Sequence, residues 1–562
     1  MRVRVQNGSE VNLTQSNFLA SGGEGQIYVI GDTTYKIYTD PTQMIPLGKI
    51  QELSAIHDPH VIKPDRVLLG PRDKPVGFTS KFVHNDGALC QIFTRSFRDR
   101  NGVTPTNIGE LVGKLQGVVS GVHQANCLIV DLNEMNFLLA PRLQDIYAID
   151  VASYQTPHYK ATALMESVRD RHMKPGAFNE GTDWFAFGIL SFQMFVGIHP
   201  YKGKHPAIKG LDDRMMQNVS VLHKDVGIPQ TCYPITAIPK NYLDWFTAVF
   251  EKGDRCAPPS GIQMIVVPVK MTKTSGSNSL EILEIGSYDS DVFDVWEKFG
   301  NLIVVTDRSI YTNKGISGDG IEGVTHGVGF TRSGKAITAK MIGPDFVLFD
   351  QLAKKPVPCS INASEVMSYD GTIFVKNRDK ILAIALNEVG ENNNILVGST
   401  LVANVLEHAT KLYRGAAIQN LLGATYVSLF PTPGAHYQVR VPELDAVRVL
   451  DAKFDSGVLM VVGSLKGVYN RYIFRFDDAY SSYDMRVIAD ITPNGLNFVT
   501  LDTGLCVCLN EDETLELFFA AKGSNKSRVV SDPALSGEMR LYKKGGKIVF
   551  TKGDKLFSLS LK

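Results

Sequence analysis

A chain of 562 residues is longer than one hydrophobic core organises, so two or more domains are expected. Its hydrophobic content of 44% and charged content of 21% are those of ordinary soluble globular proteins. Lys plus Arg and Asp plus Glu number 58 each, so no basic excess supports the coating of a polyanion, and no nucleic-acid partner is expected.

The first ten residues, Met1 to Glu10, lack the apolar stretch of a signal peptide. The longest strongly apolar run, Trp184 to Gly197, falls short of the ~20 residues of a spanning helix and suits a buried core helix, so no membrane role is expected. Seven cysteines lie scattered without a CxxC pair, which fits a reduced cytoplasmic compartment. Cys506 and Cys508 alternate on a strand and read as small core residues.

Along the chain, residues 1–85 read as short strands with one helix. Between two strand-like segments, Leu19-Ala-Ser-Gly22-Gly23-Glu24-Gly25-Gln-Ile27-Tyr28 makes a glycine-rich turn. Glycines there let backbone N–H groups approach a phosphate, although a plain hairpin turn uses the same residues. Nine residues after Ile27, Lys36 stands inside the apolar strand Tyr35-Lys36-Ile37-Tyr38. A buried ammonium needs an anionic partner, whereas a strand-end lysine snorkels to water. The segment from Leu47 to Ile56 is a short helix, and its Glu52, sixteen residues past Lys36, is the candidate carboxylate for an ion pair. A further strand runs from Val76 to Val83, and a helix from Ile108 to Gln124.

That helix leads into Cys127-Leu-Ile-Val-Asp131-Leu-Asn133-Glu-Met-Asn136-Phe-Leu-Leu139. Apolar residues bracket Asp131 and Asn136 on both sides, which buries the frame of the loop and exposes its working side chains. After a turn at Pro141, Tyr147-Ala-Ile-Asp150 is a strand ending in an acid. Two carboxylates and an amide at one loop mouth suit Mg2+, a hard cation that prefers oxygen ligands. Asp183 then enters an all-round apolar helix over 181–197 and has to be paired, and Trp245 to Pro259 reads as closing helices.

In order, offset and strand-or-helix context, these motifs resemble a protein-kinase domain over residues 10–260, in the dialect of divergent bacterial and phage kinases. The resemblance implies a bilobal α+β domain over 1–260, with an N-lobe over 1–84 and a C-lobe over 85–260. It implies ATP held by Gly22, Gly23, Gly25, Ile27 and Lys36, Glu52 paired to Lys36, and the backbone from Lys81 to Val83 on the adenine edge. Asp131 would be the catalytic base, Asn136 and Asp150 the magnesium ligands, and Asp183 a structural brace. Asn133 would join Asp131 and Lys36 in the catalytic set, at the position where Ser/Thr kinases keep a lysine on the transferring phosphate. The implied reaction is transfer of the γ-phosphoryl group of ATP to protein hydroxyls.

Departures from that pattern bear on rate. Val130 stands where an Arg would pair an activation-loop phosphate. A missing cation at 133 removes transition-state stabilisation of about 2.7–4 kcal/mol, by analogy with oxyanion donors. Met173-Lys-Pro-Gly176 replaces the Ala-Pro-Glu element, which leaves Arg255 without its usual partner. Val151-Ala152 follows Asp150 in place of Phe-Gly.

Beyond Pro258-Pro259-Ser260-Gly261 the chain reads as short strands between Gly, Asp, Asn and Pro turns. Leu302 to Tyr311, Ile373 to Leu382 and Ile548 to Phe557 align without gaps, and Phe498 to Cys506 fits with one deletion. Such hairpins over 261–562 suggest a β-propeller of seven blades of ~40–45 residues, with a β-sandwich pair or a β-helix as competitors. Ser275 to Ser279 is a linker tip or a loop. The propeller would recruit a protein substrate or an assembly partner. The alternative is a pseudokinase: a nucleotide-binding scaffold, or an assembly component such as part of a phage particle, whose propeller mediates protein interaction.

Overall fold

The structure is a computed structural model. It describes residues 1–229, 231–261, 279–298, 301–306, 309–312, 315–317, 325–351, 353–390, 394–432, 434–493, 495–524 and 526–562. The fold is mostly β and multidomain. The anticipated linker tip at 275–278 lies outside the described residues.

Seven antiparallel strands open the chain: β1 (Arg2–Val5), β2 (Glu10–Asn12), β3 (Phe18–Ser21), β4 (Gly25–Ile30), β5 (Thr33–Tyr38), β6 (Val67–Leu69) and β7 (Pro75–Lys81). They form one sheet in the order β2-β1-β6-β7-β5-β4-β3. Helix α1 (Leu47–Ser54) buries Ile50 and Leu53. A three-stranded sheet follows, made of β8 (Gly87–Ala88), β9 (Phe137–Leu139) and β10 (Ile146–Ala148).

Between and after these strands lie α2 (Arg95–Arg100), α3 (Pro105–Gln124), α4 (Glu180–Val196), α5 (Leu211–Met216) and α6 (Lys240–Phe250). Helix α3 starts three residues earlier than the apolar spacing indicates, because Thr104 caps it, accepting from Asn107 N–H, and Pro105 opens it. At the start of α4, Asn179 and Thr182 exchange hydrogen bonds, and Gly197 (φ 85°) ends the helix in the left-handed conformation. From Asp183 onward the residues of α4 are buried, as its all-round apolar sequence demands. No helix among the described residues is long and apolar enough to cross a membrane.

From residue 280 onward the described chain forms seven four-stranded antiparallel sheets. Six run consecutively over 292–317, 325–357, 365–404, 410–440, 448–488 and 498–531. The seventh joins Arg540–Lys544, Lys547–Lys552 and Lys555–Leu561 to Leu280–Ser287, which pairs with the last of these strands. Arg540–Lys544 of the seventh sheet packs against Val292–Lys298 of the first. The segments from Ile373 and Ile548 each form the second and third strands of a sheet, and so does that from Leu302, whose turn at 307–308 is outside the described residues. Phe498 to Cys506 instead joins first and second strands, so its alignment is one strand out of phase, which accounts for the deletion.

The two parts share a core. Leu450, Val462, Tyr469 and Ile491 of the fifth sheet and its exit belong to the same apolar cluster as α3 and α4. Leu406 and Ala409 pack on the cluster around Phe18 and Tyr35 in the first sheet. Polar contacts follow the same seam: Ser96 Oγ donates to Asp451 (2.7 Å), Arg540 pairs with Asp99 (2.6 Å) and Lys202 with Asp490 (2.6 Å).

Candidate functional site

Lys36 lies in the middle of β5, between β4 and β7. Two glycines make that position possible. A Cβ at Gly25 would stand 2.1 Å from the Ile37 carbonyl oxygen, and one at Gly77 would stand 1.9 Å from that of Lys36. Neither strand could pair so closely with a larger residue. The Lys36 stem runs beside the Tyr38 and Phe78 rings, with Nζ 5.1 and 5.8 Å from their centroids. Its ammonium donates to Glu24 (2.7 Å) and reaches Asp150 (3.5 Å). Burial alone would lower its pKa, but Asp150, Tyr38 and Glu24 outweigh burial and hold it above the ordinary lysine value. Gly22 and Gly23 are exposed, and a Cβ on either would meet nothing within 4 Å, so packing does not require their smallness.

Asp131 and Asn136 sit in a loop that bonds to itself. Asn136 Nδ2 donates to the Asp131 carbonyl (3.0 Å) and to Asp131 Oδ2 (3.1 Å). Asp131 Oδ1 accepts the N–H of Met165 (2.6 Å), thirty-four residues later. Val130, a β-branched residue, is held at φ 63°, in the left-handed region where such residues are strained. Asp183 holds it there. Fully buried, its carboxylate accepts from Ile129 N–H (2.8 Å), Val130 N–H (2.9 Å) and His123 Nε2 (2.9 Å). Asp150, also left-handed (φ 57°), follows the neighbouring strand by two residues, after Ile149, whose N–H donates to the Asn136 carbonyl (2.8 Å). Burial raises the pKa of its carboxyl above the usual carboxylate range, and Lys36 counters part of that rise.

A cation such as Mg2+ suits this donor set. Asn136 spends its Nδ2 on Asp131, leaving its amide oxygen for another partner, and Asp150 is a part-exposed carboxylate whose raised pKa a positive charge would lower.

Glu52 does not pair with Lys36. It accepts from the backbone N–H (3.2 Å) and Nδ1 (2.6 Å) of His158, on the segment after Asp150, and Glu24 takes the ammonium instead. The reason is local: the glycine-rich turn brings its own acid to the strand end, while α1 is tied to the 156–160 segment. Asn133 does not face the cleft either. It is 1% exposed, its Oδ1 accepting from Met135 N–H (2.8 Å) and its Nδ2 donating to the Asp131 carbonyl (3.3 Å). Arg255 has a partner after all: Nε and Nη2 bind the two oxygens of buried Asp170 at 2.5 and 2.8 Å. Ile27 pairs in register with Lys36 across β4 and β5. Lys81 is exposed; Val83 is buried, its carbonyl accepting from Asn85 Nδ2 (3.1 Å).

Sequence reasoning missed Glu24, though an acid between Gly23 and Gly25 is visible, and it missed the Asp170 partner, which no spacing rule supplies. It also missed Glu134. That side chain, 2% exposed, accepts from the Tyr469 hydroxyl across 335 residues. His205, His223 and Asp225 also come within metal-binding reach of one another. Both imidazoles, however, use Nδ1 to accept backbone N–H groups, which puts the proton on Nε2.

No family model matches the chain. Among solved structures, the Cydia pomonella granulovirus kinase PK-1 is similar to part of it, with 14% identity and a TM-score of 0.33, covering 43% of this chain and 86% of that one. At that identity and score the likeness carries no weight for what this chain does.

Proposed function

We propose that the protein is an ATP-dependent protein kinase of Ser/Thr type, with a bilobal kinase-like domain over 1–260 and a β-propeller over 261–562. The observation that carries this reading is the approach of Lys36 and Asp150, 114 residues apart in sequence, to 3.5 Å, beside the Asp131–Asn136 loop. The propeller reading rests on seven successive four-stranded sheets, the seventh completed by Leu280–Ser287 and packed against the first.

In the proposed reaction the oxygen of an acceptor hydroxyl bonds to the γ-phosphorus of ATP while the bond from that phosphorus to the β–γ bridging oxygen breaks. The hydroxyl proton passes to Asp131, and ADP leaves with the bridging oxygen. Each Asp131 carboxylate oxygen already accepts one N–H donor, so the hydroxyl would donate to a remaining lone pair. Lys36 would exchange Glu24 for phosphate oxygens. Asn136 and Asp150 would hold Mg2+, which supplies neutralisation of phosphate charge when bound. Asp183 would keep the strained Val130 turn in place. A protein acceptor and a cytoplasmic location go with this reading.

The inward-turned Asn133 favours a second reading, a nucleotide-binding scaffold, because no cation stands at that position in the loop. Incubation with magnesium and labelled ATP separates the two. A kinase loses label incorporation in both Asp131→Asn and Asp150→Asn. Equal label in all three proteins, with ATP still raising the melting temperature, would sink the kinase reading.

A further inference from the structure

Resting on the kinase reading, we propose that Tyr469 of the fifth sheet is a positioning residue for phosphoryl transfer, acting through Glu134 on the loop that carries Asp131 and Asn136. The carboxy-terminal sheets would then be part of the active-site frame and not a detachable docking module.

Glu134 stands three residues after Asp131 and two before Asn136, and it points away from the cleft into the seam between the two parts of the protein. A buried carboxyl is costly unless hydrogen-bonded. The Tyr469 hydroxyl provides that bond, and the Tyr469 ring is 3% exposed within the apolar cluster shared with α3 and α4. The two amides of the loop are used inside it: Asn133 bonds to Asp131 and Met135, and Asn136 bonds to Asp131. Asp183 therefore anchors the loop at Ile129 and Val130, and Tyr469 anchors it at Glu134.

The same hairpin reaches Asp131 by a second route. Its turn, Lys466-Gly467, has both residues at positive φ (52° and 78°) and lies against the segment that follows Asp150. A Cβ at Gly467 would stand 2.7 Å from Met165 Sδ, so glycine is what lets the turn lie this close to the residue whose N–H donates to Asp131 Oδ1. Glu134, Tyr469, Ser167, His199 and Lys202 line a cavity of about 100 Å³ at this seam. One hairpin thus touches the loop through Glu134 and through Met165.

Tyr469→Phe removes the hydroxyl and keeps the ring, so the shared core stays filled. The expected result is a kcat lower by about 10- to 100-fold, since small displacements of reacting groups have effects of that size, with KM for ATP and the ATP-induced rise in melting temperature unchanged. Glu134→Gln, whose amide oxygen still accepts from Tyr469, should retain most of the rate. Adding Glu134→Ala to Tyr469→Phe should cost no more than either change alone. Hydrogen exchange reads the tether without any need for activity. In Tyr469→Phe the amides of 131–136 should exchange faster, while those of β4, β5 and α4 stay as in the parent. Unchanged exchange over 131–136 overturns the proposal whatever the enzyme does, as does a parental kcat in Tyr469→Phe. A parent protein with faster loop exchange in Tyr469→Phe but no Asp131-dependent transfer overturns the kinase reading and leaves the tether standing.

Discussion

Polar groups do different work in the two parts of this protein. In the carboxy-terminal sheets they join one sheet to the next. Asp455 of the fifth sheet accepts from Thr500 N–H of the sixth (2.8 Å), Arg486 and Glu516 pair across the same boundary (2.6 Å), and Asn497 accepts from Leu541 N–H of the seventh (2.8 Å). Each such staple joins one sheet to its neighbour in the chain. In the amino-terminal part the polar groups converge. Lys36, Glu24, Asp150, the Asp131–Asn136 loop and Asp183 come from separate segments of the chain, and two of the backbone positions that hold them, Val130 and Asp150, are left-handed. Staples spread over many boundaries stabilise a shape, whereas convergence with local strain marks a place where chemistry is prepared.

The largest effect that could break this contrast is on activity. Lys36→Met should lower label transfer from ATP by about 10²–10³-fold, because under the proposed function it removes the cation that would meet the phosphates. Arg486→Ala, which cuts a staple, should leave the transfer rate as it is. A staple variant that matched Lys36→Met in lost activity, with its fold intact, would erase the distinction. Next comes stability. Arg255→Ala leaves the Asp170 carboxylate buried without its bidentate partner and should cost about 3 kcal/mol. Arg486→Ala, at a half-exposed pair, should cost about 1 kcal/mol or less. Urea unfolding followed at the first transition of each variant measures the difference, and equal losses would contradict it.

A smaller effect depends on pH. His199 is buried, its Nε2–H donating to the Ser167 carbonyl (2.9 Å) and its Nδ1 accepting from Tyr201 N–H (3.1 Å), an arrangement that only the neutral ring can make. Burial is the main cause that pushes its pKa down to about 3. Below the ordinary value of about 6.5 the unfolded chain binds a proton that the folded chain refuses, so stability falls with pH through the window from about 6.5 to about 3. The fall should be about 1 kcal/mol over the first pH unit below 6.5 and should flatten in His199→Gln. The same acid slope in both proteins would show that other groups set it.

What the sequence disclosed follows from the range of each interaction. Asp131, Asn136 and Asp150 were legible as one loop mouth because apolar residues bracket the acid and the amide and a short turn returns the second acid, whereas the contact of Lys36 with Asp150 appears only in the structure. Asp183 was legible for a different reason: an acid inside an apolar helix must find a partner. Choices between neighbours were not legible. The sequence offers acids at 24 and 52 for a β5 lysine, and only the folded chain shows Glu52 on His158 and Glu24 on Lys36. Contacts across long separations, Arg255 with Asp170 and Tyr469 with Glu134, leave no periodic trace. In the sheets, any apolar-turn-apolar stretch looks alike, so Phe498 to Cys506 matched its neighbours while lying one strand out of phase.

Glu24 offers the finest test of convergence. Its carboxylate is more than half exposed (55%) and shares the Lys36 ammonium with Asp150. On the proposed reading, phosphate oxygens arriving at Lys36 would displace it, and once displaced it would stay on the same turn as a negative charge close to a more negative one. Removing that charge should therefore help binding, by no more than the ~1 kcal/mol of an exposed pair, or about fivefold in affinity. Glu24→Gln keeps the shape of the turn and isolates the charge. Isothermal titration with ATP and magnesium at low and high salt should show tighter binding in the variant, with the difference shrinking as salt rises. Weaker binding in Glu24→Gln would mean that the acid holds Lys36 in its binding position and does not compete for it. The charge at 24 would then belong among the groups that build the site.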